Sequence, residues 1–351
     1  MTAAKKNNSR RKSAKFRRSR KKRIQKTILL VLLLIFLGGA GIGSIYLLRN
    51  GTLFGKLDEP YMASREFSSG ITGTDSLRAD GFAKKLCVVV SDVPMDGVSL
   101  GENQKGLLLD LDDRQVLYSK QALEKVYPAS ITKIMTAMLA LKYGNMDDVV
   151  TITQENLDLE SGSQVCGFWA GDQVTMDQLL HCLLVYSGND AASAIATHVG
   201  GSTEGFVEMM NSFAKELGCT GTHFTNPHGL QDENHYTTPY DIYLMLKEAL
   251  NYPEFTQITQ MGSYTVEYTH ADGSSASTTL TATDHYLTGE ATPPKNVTIL
   301  GGKTGTTDNA GNCLALLSQN AYGKPYISIV MGASTKDELY QQMSSLLQNI
   351  N

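Results

Sequence analysis

A serine and a lysine stand three residues apart in an otherwise apolar segment, Tyr127 to Ala137. Residues i and i+3 of a helix lie on one face, so the Ser130 hydroxyl and the Lys133 amine would meet on a helix. Pro128 favours a helix start here, which places Ser130 in the first turn, where free backbone N–H groups and the helix dipole stabilise an oxyanion. Burial among apolar neighbours disfavours an ammonium and lowers the lysine pKa. The pattern is typical of a nucleophile with its base.

The S-x-x-K spacing alone is a weak signal. It also occurs at Ser9 with Lys12, in a basic N-terminal tail, and at Ser212 with Lys215, in a segment whose pattern predicts an ordinary amphipathic helix. Any assignment of Ser130 as nucleophile therefore depends on partners elsewhere in the chain.

A second polar group, Ser187-Gly188-Asn189, interrupts two apolar helical segments. A loop in this place would project Ser187 and Asn189 into a cleft. The alternative is structural, because Ser187 or Asn189 is also a suitable N-cap for a helix that continues to about residue 199. S-x-N occurs again at Ser318 to Asn320, so this motif is weaker still.

A third group, Lys303-Thr304-Gly305, follows an apolar run and two glycines. The small residues predict a strand edge along which an extended peptide can pair, with Lys303 and the Thr304 and Thr306 hydroxyls meeting a carboxylate. The alternative is a phosphate-binding P-loop. That motif needs a glycine at position 297, where this chain has Val297, so the P-loop is rejected.

Together the three groups occur in the order S-x-x-K, S-x-N, K-T-G, the motif trio of class A β-lactamases and penicillin-binding proteins. From about residue 84 to 340 the chain closely resembles the low-molecular-weight penicillin-binding proteins, the serine-type D-alanyl-D-alanine carboxypeptidases. The stretches that carry the resemblance are PASITKIMTA (128–137), SGNDAA (187–192), TNPHGLQDENHYTTPYD (225–241) and GKTGTTDNAG (302–311).

The resemblance implies a reaction and a role for each motif residue. Ser130 would attack the carbonyl of the penultimate D-alanine of a peptidoglycan stem peptide, with Lys133 as its base, and β-lactams would acylate the same serine. No metal or organic cofactor is implied. The remaining roles are a proton relay for Ser187, orientation of substrate and Lys133 for Asn189, substrate binding for Lys303, Thr304, Gly305 and Thr306, and an oxyanion hole from the backbone N–H groups of Ser130 and Thr306.

Other activities on the same fold stay open as alternatives: a DD-endopeptidase, a β-lactamase, or a non-hydrolytic sensor of β-lactams or muropeptides. Against a class A β-lactamase, the interval between S-x-N and K-T-G offers Glu233-Asn234 without the E-x-x-L-N context of that class. Lys336 is a candidate for the later basic residue that helps relatives to hold the substrate carboxylate.

A metal site is the alternative for three histidines, His223, His228 and His235, which lie close together in the sequence. Their spacing matches no zinc motif, which favours structural or solvated histidines. The five cysteines, Cys87, Cys166, Cys182, Cys219 and Cys313, show no C-x-x-C pairing, and most of them are expected to be small buried apolar residues.

The elements that must position these residues follow a strand–helix–strand order. Strand patterns appear near both ends of residues 84–351 and helical patterns between them, which predicts an α+β domain: an antiparallel sheet of N- and C-terminal strands with an inserted helical lobe. A cleft between lobe and sheet is the natural ligand site. The predicted elements are a strand at 86–90, a hairpin from 107 to 118 with its turn at 112–114, the Ser130 helix to Tyr143, a helical middle, a hairpin after 263 and strands at 296–307, 312–320 and 325–334.

Charge divides the chain sharply. The net charge is -4, yet residues 1–26 contain 13 of the 31 basic residues and no acid. Residues 27–48 are uncharged, and at about 1.5 Å per residue a helix there reaches about 33 Å, enough to cross a bilayer core.

We therefore expect a single-pass membrane protein with a cytoplasmic tail (1–26), a transmembrane helix (27–48), a linker (49–83) and an extracytoplasmic catalytic domain (84–351). A cleaved signal peptide is the alternative for the apolar run, although this run is longer than usual. A basic segment next to a span indicates topology rather than nucleic-acid binding.

Overall fold

The computed structural model describes residues 85–350. The predicted tail (1–26), transmembrane helix (27–48) and linker (49–83) lie outside these residues. Within residues 85–350, no helix is both long and apolar enough to cross a membrane.

Residues 85–350 contain nine strands, which form two antiparallel sheets. The five-stranded sheet has the order β2-β1-β9-β8-β7, and the four-stranded sheet has the order β3-β4-β5-β6. The strands are β1 (Lys105–Asp110), β2 (Gln115–Lys120), β3 (Val149–Thr151), β4 (Gln173–Thr175), β5 (Ser263–Thr269), β6 (Ser275–Thr281), β7 (Thr298–Thr307), β8 (Gly311–Gln319) and β9 (Pro325–Ala333).

The same residues contain nine α-helices, and seven of them lie between β2 and β5 in the sequence. The helices are α1 (Lys133–Tyr143), α2 (Gln154–Leu157), α3 (Met176–His181), α4 (Asn189–Gly200), α5 (Thr203–Glu216), α6 (Pro239–Ala249), α7 (Pro253–Thr259), α8 (His285–Thr288) and α9 (Lys336–Leu347). A 3-10 turn, Ala129–Thr132, leads into α1, and a π-helical turn, Cys182–Tyr186, follows α3.

The five-stranded sheet confirms the predicted architecture, because the N-terminal β1 pairs with the C-terminal β9 and the helices are inserted between them. The β1–β2 hairpin turns where it was predicted to turn. There the Asp110 carboxylate accepts the backbone N–H groups of Asp112 and Asp113 at 3.0 and 2.9 Å. Such local bonds favour a turn over a continued strand.

Helices cover both faces of this sheet, so its central strands are buried along most of their length. Side chains alternate between faces along a strand. Leu107 and Leu109 of β1 accordingly join the core of the helical lobe, whereas Leu108 joins a second core beneath α9. Helix α1 lies inside the lobe and is buried at every position from Lys133 to Ala140.

Two sequence predictions are corrected by the structure. The predicted hairpin after residue 263 exists as β5 and β6, but it belongs to a second sheet with β3 and β4 rather than to the main sheet. The predicted strand at 86–90 is an irregular extended segment. Its backbone is satisfied by side chains instead: Cys87 N–H donates to the Tyr243 hydroxyl at 2.9 Å, and the Tyr240 hydroxyl donates to Cys87 O at 3.0 Å.

Candidate active site

Ser130 lies in the 3-10 turn immediately before α1, as the proline-led helix start predicted. Lys133 begins the α-helix one turn later, and its Nζ lies 2.7 Å from Ser130 Oγ. The predicted pair therefore exists. The preceding Ala129 adopts a left-handed conformation (φ 48°), which turns the chain sharply into the helix.

The neighbours of Lys133 Nζ determine which protonation state can activate Ser130. Nζ donates to Asn189 Oδ1 at 2.7 Å and to the backbone carbonyl of His228 at 2.8 Å, and both groups only accept hydrogen bonds. A neutral amine has two hydrogens and one lone pair. With both hydrogens committed, the lone pair remains for the hydroxyl proton of Ser130.

Lys133 is also in an environment that favours the neutral amine. Its side chain is fully buried, and burial lowers its pKa well below the ordinary value; the nearby positive charge of Lys303 lowers it further. Both effects penalise the ammonium form. The lysine is thus suited to accept a proton near neutral pH.

Ser187 and Asn189 flank the start of α4. The helix begins at Asn189 with Gly188 as N-cap and no side-chain capping bond, so the structural alternative, in which Ser187 or Asn189 caps this helix, is wrong. Ser187 instead ends the π-helical turn in a left-handed conformation (φ 69°). A non-glycine residue held in that region costs energy and is often found at functional sites.

Lys303 reaches Ser187 from β7. Its Nζ donates to Ser187 Oγ at 2.9 Å and to the carbonyl of Thr304 at 2.9 Å. Burial lowers the pKa of Lys303 to about 7, and the opposing charge of Asp284 partly offsets this effect. The second and third motifs are therefore joined by a direct hydrogen bond.

Strand β7 is an edge strand of the main sheet, as its glycines predicted. Gly305 lies against the Ser130 turn: a Cβ on it would come within 2.9 Å of Pro128 O and 3.0 Å of Ser130 N. The Thr304 hydroxyl lies 2.5 Å from that of Thr283, and the Thr306 hydroxyl donates to Asn312 Oδ1 at 3.2 Å. Because Lys303 and Thr304 lie within a strand, the rejection of the P-loop is supported.

A cleft of about 330 Å³ brings the motifs together. Lys336, the candidate basic residue from the sequence, lies at this cleft and is exposed. The residues that line the cleft are Ser130, Gly162, Ser163, Gln164, Ser187, Asn189, Gly229, Leu230, Thr283, Thr304, Gly305, Thr306, Thr307, Asn312, Cys313, Lys336, Leu339 and Tyr340.

Sequence reasoning missed two features that position the site. Asp190 is fully buried and accepts the backbone N–H groups of Cys166 and Gly167, which anchors the loop that carries Gln164 to the cleft. Gly229 approaches the Ser130 turn so closely that a Cβ would lie 1.8 Å from Ala129 O. Asp190, directly after S-x-N, and Gly229, directly after Pro227-His228, are visible in the sequence. Neither position indicates which residue it contacts.

Among the three clustered histidines, His235 is buried and His228 is partly buried, and the contacts of His235 indicate a structural role. His235 Nδ1 accepts the backbone N–H of Thr225 at 3.1 Å, so Nε2 carries the proton and donates to Thr132 Oγ1 at 2.8 Å. Burial lowers the pKa of His235 to about 4 and that of His228 to about 3. Among residues 85–350, no group of His, Cys, Asp and Glu side chains has the arrangement of a metal site.

The competing motif matches lie away from the cleft. Ser212 and Lys215 are both exposed on α5, and Ser318 is buried within β8. The Ser9 match lies outside the described residues. All five cysteines are buried free thiols, which confirms their interpretation as small core residues.

Residues 101–335 match the family model of the D-alanyl-D-alanine carboxypeptidases, peptidase family S11. The chain belongs to this family. Among curated relatives, it is 36% identical over 251 residues to the D-alanyl-D-alanine carboxypeptidase DacF of Bacillus subtilis, covering 70% of this chain and 61% of the relative. It is 33% identical over 253 residues to DacC of Escherichia coli, covering 69% of this chain and 59% of the relative.

Two solved structures share the fold of this chain. The Streptomyces K15 DD-transpeptidase superposes with a TM-score of 0.64 at 28% identity, covering 69% of this chain and 94% of that one. A D-alanyl-D-alanine carboxypeptidase from Mycobacterium tuberculosis superposes with a TM-score of 0.63 at 28% identity, covering 74% of this chain and 93% of that one. The chain thus spans nearly all of these structures but about three-fifths of the curated relatives' length.

Proposed function

We propose that this protein is a serine DD-carboxypeptidase that removes the terminal D-alanine from peptidoglycan stem peptides through an acyl-enzyme on Ser130. One observation carries the proposal. Ser130 Oγ lies 2.7 Å from a buried amine whose other two neighbours accept its hydrogens, at a cleft bordered by the edge of β7. Family membership supplies the substrate class.

Acylation uses the first motif. Ser130 passes its hydroxyl proton to Lys133 Nζ, and Oγ bonds to the carbonyl carbon of the penultimate D-alanine. The backbone N–H groups of Ser130 and Thr306 receive the oxyanion, each worth about 3 kcal/mol by analogy with other enzymes. Gly305 makes this possible, since any side chain there would push β7 away from Ser130 N.

Departure of D-alanine needs a proton at its nitrogen. Lys133 gives up the proton that it took from Ser130, and Ser187 Oγ relays it to this nitrogen. Lys303 Nζ holds Ser187 Oγ at 2.9 Å and stays an ammonium. The Lys303 ammonium attracts the terminal carboxylate, which the Thr304 and Thr306 hydroxyls and Lys336 help to hold. Water then attacks the acyl carbon and passes one proton to Lys133, which returns it to Ser130 Oγ as the acyl bond breaks.

β-Lactams present a similar carboxylate and a reactive carbonyl, so they acylate Ser130 by the same step. The chain lacks the glutamate context that class A β-lactamases use for deacylation, and the acyl-enzyme therefore persists. We expect stable labelling by a fluorescent penicillin.

The test compares D-alanine release and penicillin labelling in the full-length protein. Ser130→Ala should lower release from a D-Ala-D-Ala pentapeptide about 10³-fold or more and abolish labelling. Ser212→Ala, in the exposed S-x-x-K match on α5, is the matched control and should retain both.

Each alternative activity has its own outcome in the same assay. Labelling without D-alanine release would indicate a sensor, rapid penicillin turnover a β-lactamase, and a requirement for cross-linked muropeptides an endopeptidase. Full peptidase activity in Ser130→Ala would show that the nucleophile is another residue.

A second candidate function comes from the structural neighbour, whose name is DD-transpeptidase. The same acyl-enzyme is open to attack by an amine instead of water. Adding an acceptor amine such as glycine to the pentapeptide reaction distinguishes the two: a transfer product that outweighs the hydrolysed peptide indicates a transpeptidase.

We also propose that residues 27–48 anchor the protein in the membrane. Residues 84–351 would then lie on the extracytoplasmic side, which is the side that holds the peptidoglycan. The uncharged 22-residue run behind a basic tail supports this orientation. Protease added to spheroplasts should digest the catalytic domain. Protection until the cells are lysed would contradict the proposed orientation.

A further inference from the structure

Asp284, just before α8, is a buried carboxyl group with an incomplete set of partners. It is 6% exposed. Its Oδ1 accepts the backbone N–H of Tyr286 at 2.9 Å and the hydroxyl of Tyr340 at 3.3 Å. Its Oδ2 is buried and has no hydrogen-bond partner among residues 85–350. A buried oxygen without a partner costs stability, so its position calls for a physical reason.

A small cavity lies beside this carboxylate. Its volume is about 10 Å³, close to the least that holds one water molecule. Asp284 and Lys303 both line the cavity, together with Thr283, Thr304 and residues of the π-helical turn. A buried water needs two or more polar partners, and this cavity offers a carboxylate, a lysine and threonine groups.

The charges around Lys303 show what a water-mediated hydrogen bond between Asp284 and Lys303 would do. Lys133, on α1, is a second buried lysine close enough for the two charges to oppose each other. Asp284 supplies the opposing negative charge. The neutral hydrogen-bond partners are the Tyr340 hydroxyl on α9 for Asp284 and the Ser187 hydroxyl for Lys303. Lys303 must nevertheless be an ammonium if it is to attract a carboxylate.

We propose that Asp284 is a positioning residue for Lys303, whose carboxylate keeps the ammonium charged and directed at Ser187 through one water molecule in this cavity. The inference deepens the proposed function and rests on it for the role of Lys303. Asp284 also fixes Tyr340, which lines the cleft. It thus couples β7 and α9, the two elements that carry Lys303 and Lys336.

The role predicts a specific kinetic signature. Without the negative charge, the pKa of Lys303 should fall by about one to two units, the effect of an opposite charge separated from it by one water molecule. The free enzyme then binds substrate poorly at neutral pH. A bound substrate carboxylate replaces the missing charge, so KM should rise several-fold while kcat changes little.

The experiment measures Lys303 directly. Full-length protein labelled with 13C at lysine Cε is titrated by NMR, with the Lys303 signal assigned from Lys303→Arg. Asp284→Asn should lower the pKa of Lys303 by about one to two units. Asp241→Asn removes another buried carboxylate, which bonds Thr222 and Gly221, and should leave the Lys303 titration unchanged. An unchanged titration in Asp284→Asn overturns the proposal.

The titration does not need enzyme activity, so the two proposals fail separately. Wild-type protein that releases no D-alanine overturns the proposed function, whatever Lys303 does. A loss of thermal stability in Asp284→Asn with an unshifted Lys303 leaves only a structural role and overturns the inference. If Asp284→Asn does not fold, a high-resolution crystal structure of the wild type decides: a water bonded to both Asp284 Oδ2 and Lys303 Nζ supports the link, and a dry cavity refutes it.

Discussion

In the proposed mechanism, two buried lysines of the same site have opposite roles, and their surroundings favour this division. Lys133 meets an amide oxygen and a carbonyl that take its two hydrogens, and it lies near a second positive charge. Lys303 faces the carboxylate of Asp284. Burial lowers the pKa of both lysines. The positive charge of Lys303 lowers that of Lys133 further, whereas the carboxylate of Asp284 raises that of Lys303, which favours Lys133 as base and Lys303 as cation.

This division predicts a bell-shaped pH dependence of kcat/KM. Activity should fall as acid protonates Lys133, whose pKa lies well below its ordinary value, and should fall again as base deprotonates Lys303, whose pKa in the free protein is about 7. The alkaline limb of kcat should lie at higher pH, because bound carboxylate stabilises the ammonium. Steady-state release of D-alanine between pH 5 and 10 checks this, and a kcat/KM that still rises above pH 9 would contradict it.

Replacing the base with a permanent cation tests the lone-pair argument. Lys133→Arg should slow acylation about 10² to 10⁴-fold, since a guanidinium cannot accept the hydroxyl proton. Lys142→Arg, on the same helix and above the Phe213 ring, is the control and should acylate normally. Stopped-flow labelling with fluorescent penicillin measures both rates. Near-normal labelling in Lys133→Arg would exclude Lys133 as the base.

At the scale of residues, the sequence predicted the contact between Ser130 and Lys133 but not the other hydrogen-bond partners of Lys133. Residue spacing predicted that Ser130 and Lys133 meet. It did not predict the His228 carbonyl, which is 95 positions from Lys133 and acts through its backbone. A backbone group contributes regardless of residue type, so the sequence carries no signal for it.

At the scale of elements, long patterned segments were predicted well and short ones were not. Helix α1 ends at Tyr143 with Gly144 after it, and β7, β8 and β9 lie where alternation and glycines placed them. Strands β3 and β4 have three residues each, too few for a visible alternation. The second sheet was missed for that reason.

The contact between the loop at Gly229 and the turn before α1 predicts a sharp effect of one methyl group. Gly229 has φ 90°, and a Cβ would collide with the Ala129 backbone. Gly229→Ala should lower the free energy of unfolding by about 1 to 3 kcal/mol from backbone strain and displace the carbonyl that orients Lys133, with at least tenfold loss of activity.

Gly97→Ala separates strain from collision. Gly97 has a similar left-handed φ of 79°, but its Cβ would meet no atom within 4 Å. This variant should show the strain without the loss of D-alanine release. Urea unfolding and the release assay measure the two effects, and equal activity loss in both variants would count against the contact.

At the scale of the whole molecule, the buried neutral His235 makes the free energy of unfolding depend on pH. The pKa of His235 is about 4 in the fold, against 6.5 for an unperturbed histidine. The unfolded chain therefore binds the proton first, and stability present above pH 6.5 is lost as pH falls toward 4. At pH 5 the loss from this residue is about 2 kcal/mol.

His235→Gln should reduce the difference in unfolding free energy between pH 7 and pH 5 by about 2 kcal/mol. Asn156→Ala, which removes the hydrogen bonds of a buried side chain to Thr153 and Thr197 but no titratable group, is the control and should keep the wild-type difference. Urea titrations at the two pH values give the comparison. The same pH dependence in His235→Gln and wild type would show that His235 does not cause it.

The overall architecture was predictable because strand patterns at both ends of residues 84–351 permit few ways of enclosing helices between them. The relative placement of lobe and sheet was not. It depends on close backbone approaches, such as Gly305 against Pro128, that no local pattern encodes.

The hydrogen bonds of the site join residues 56, 95 and 116 positions apart. A reactive serine of this kind cannot form in a partly folded chain, because each partner arrives from a distant segment. The covalent labelling by a fluorescent penicillin that the proposed mechanism predicts would therefore report native molecules alone. Sampling a refolding reaction with brief pulses of the reagent would give the rate at which the last long-range contacts close, independently of any spectroscopic signal from secondary structure.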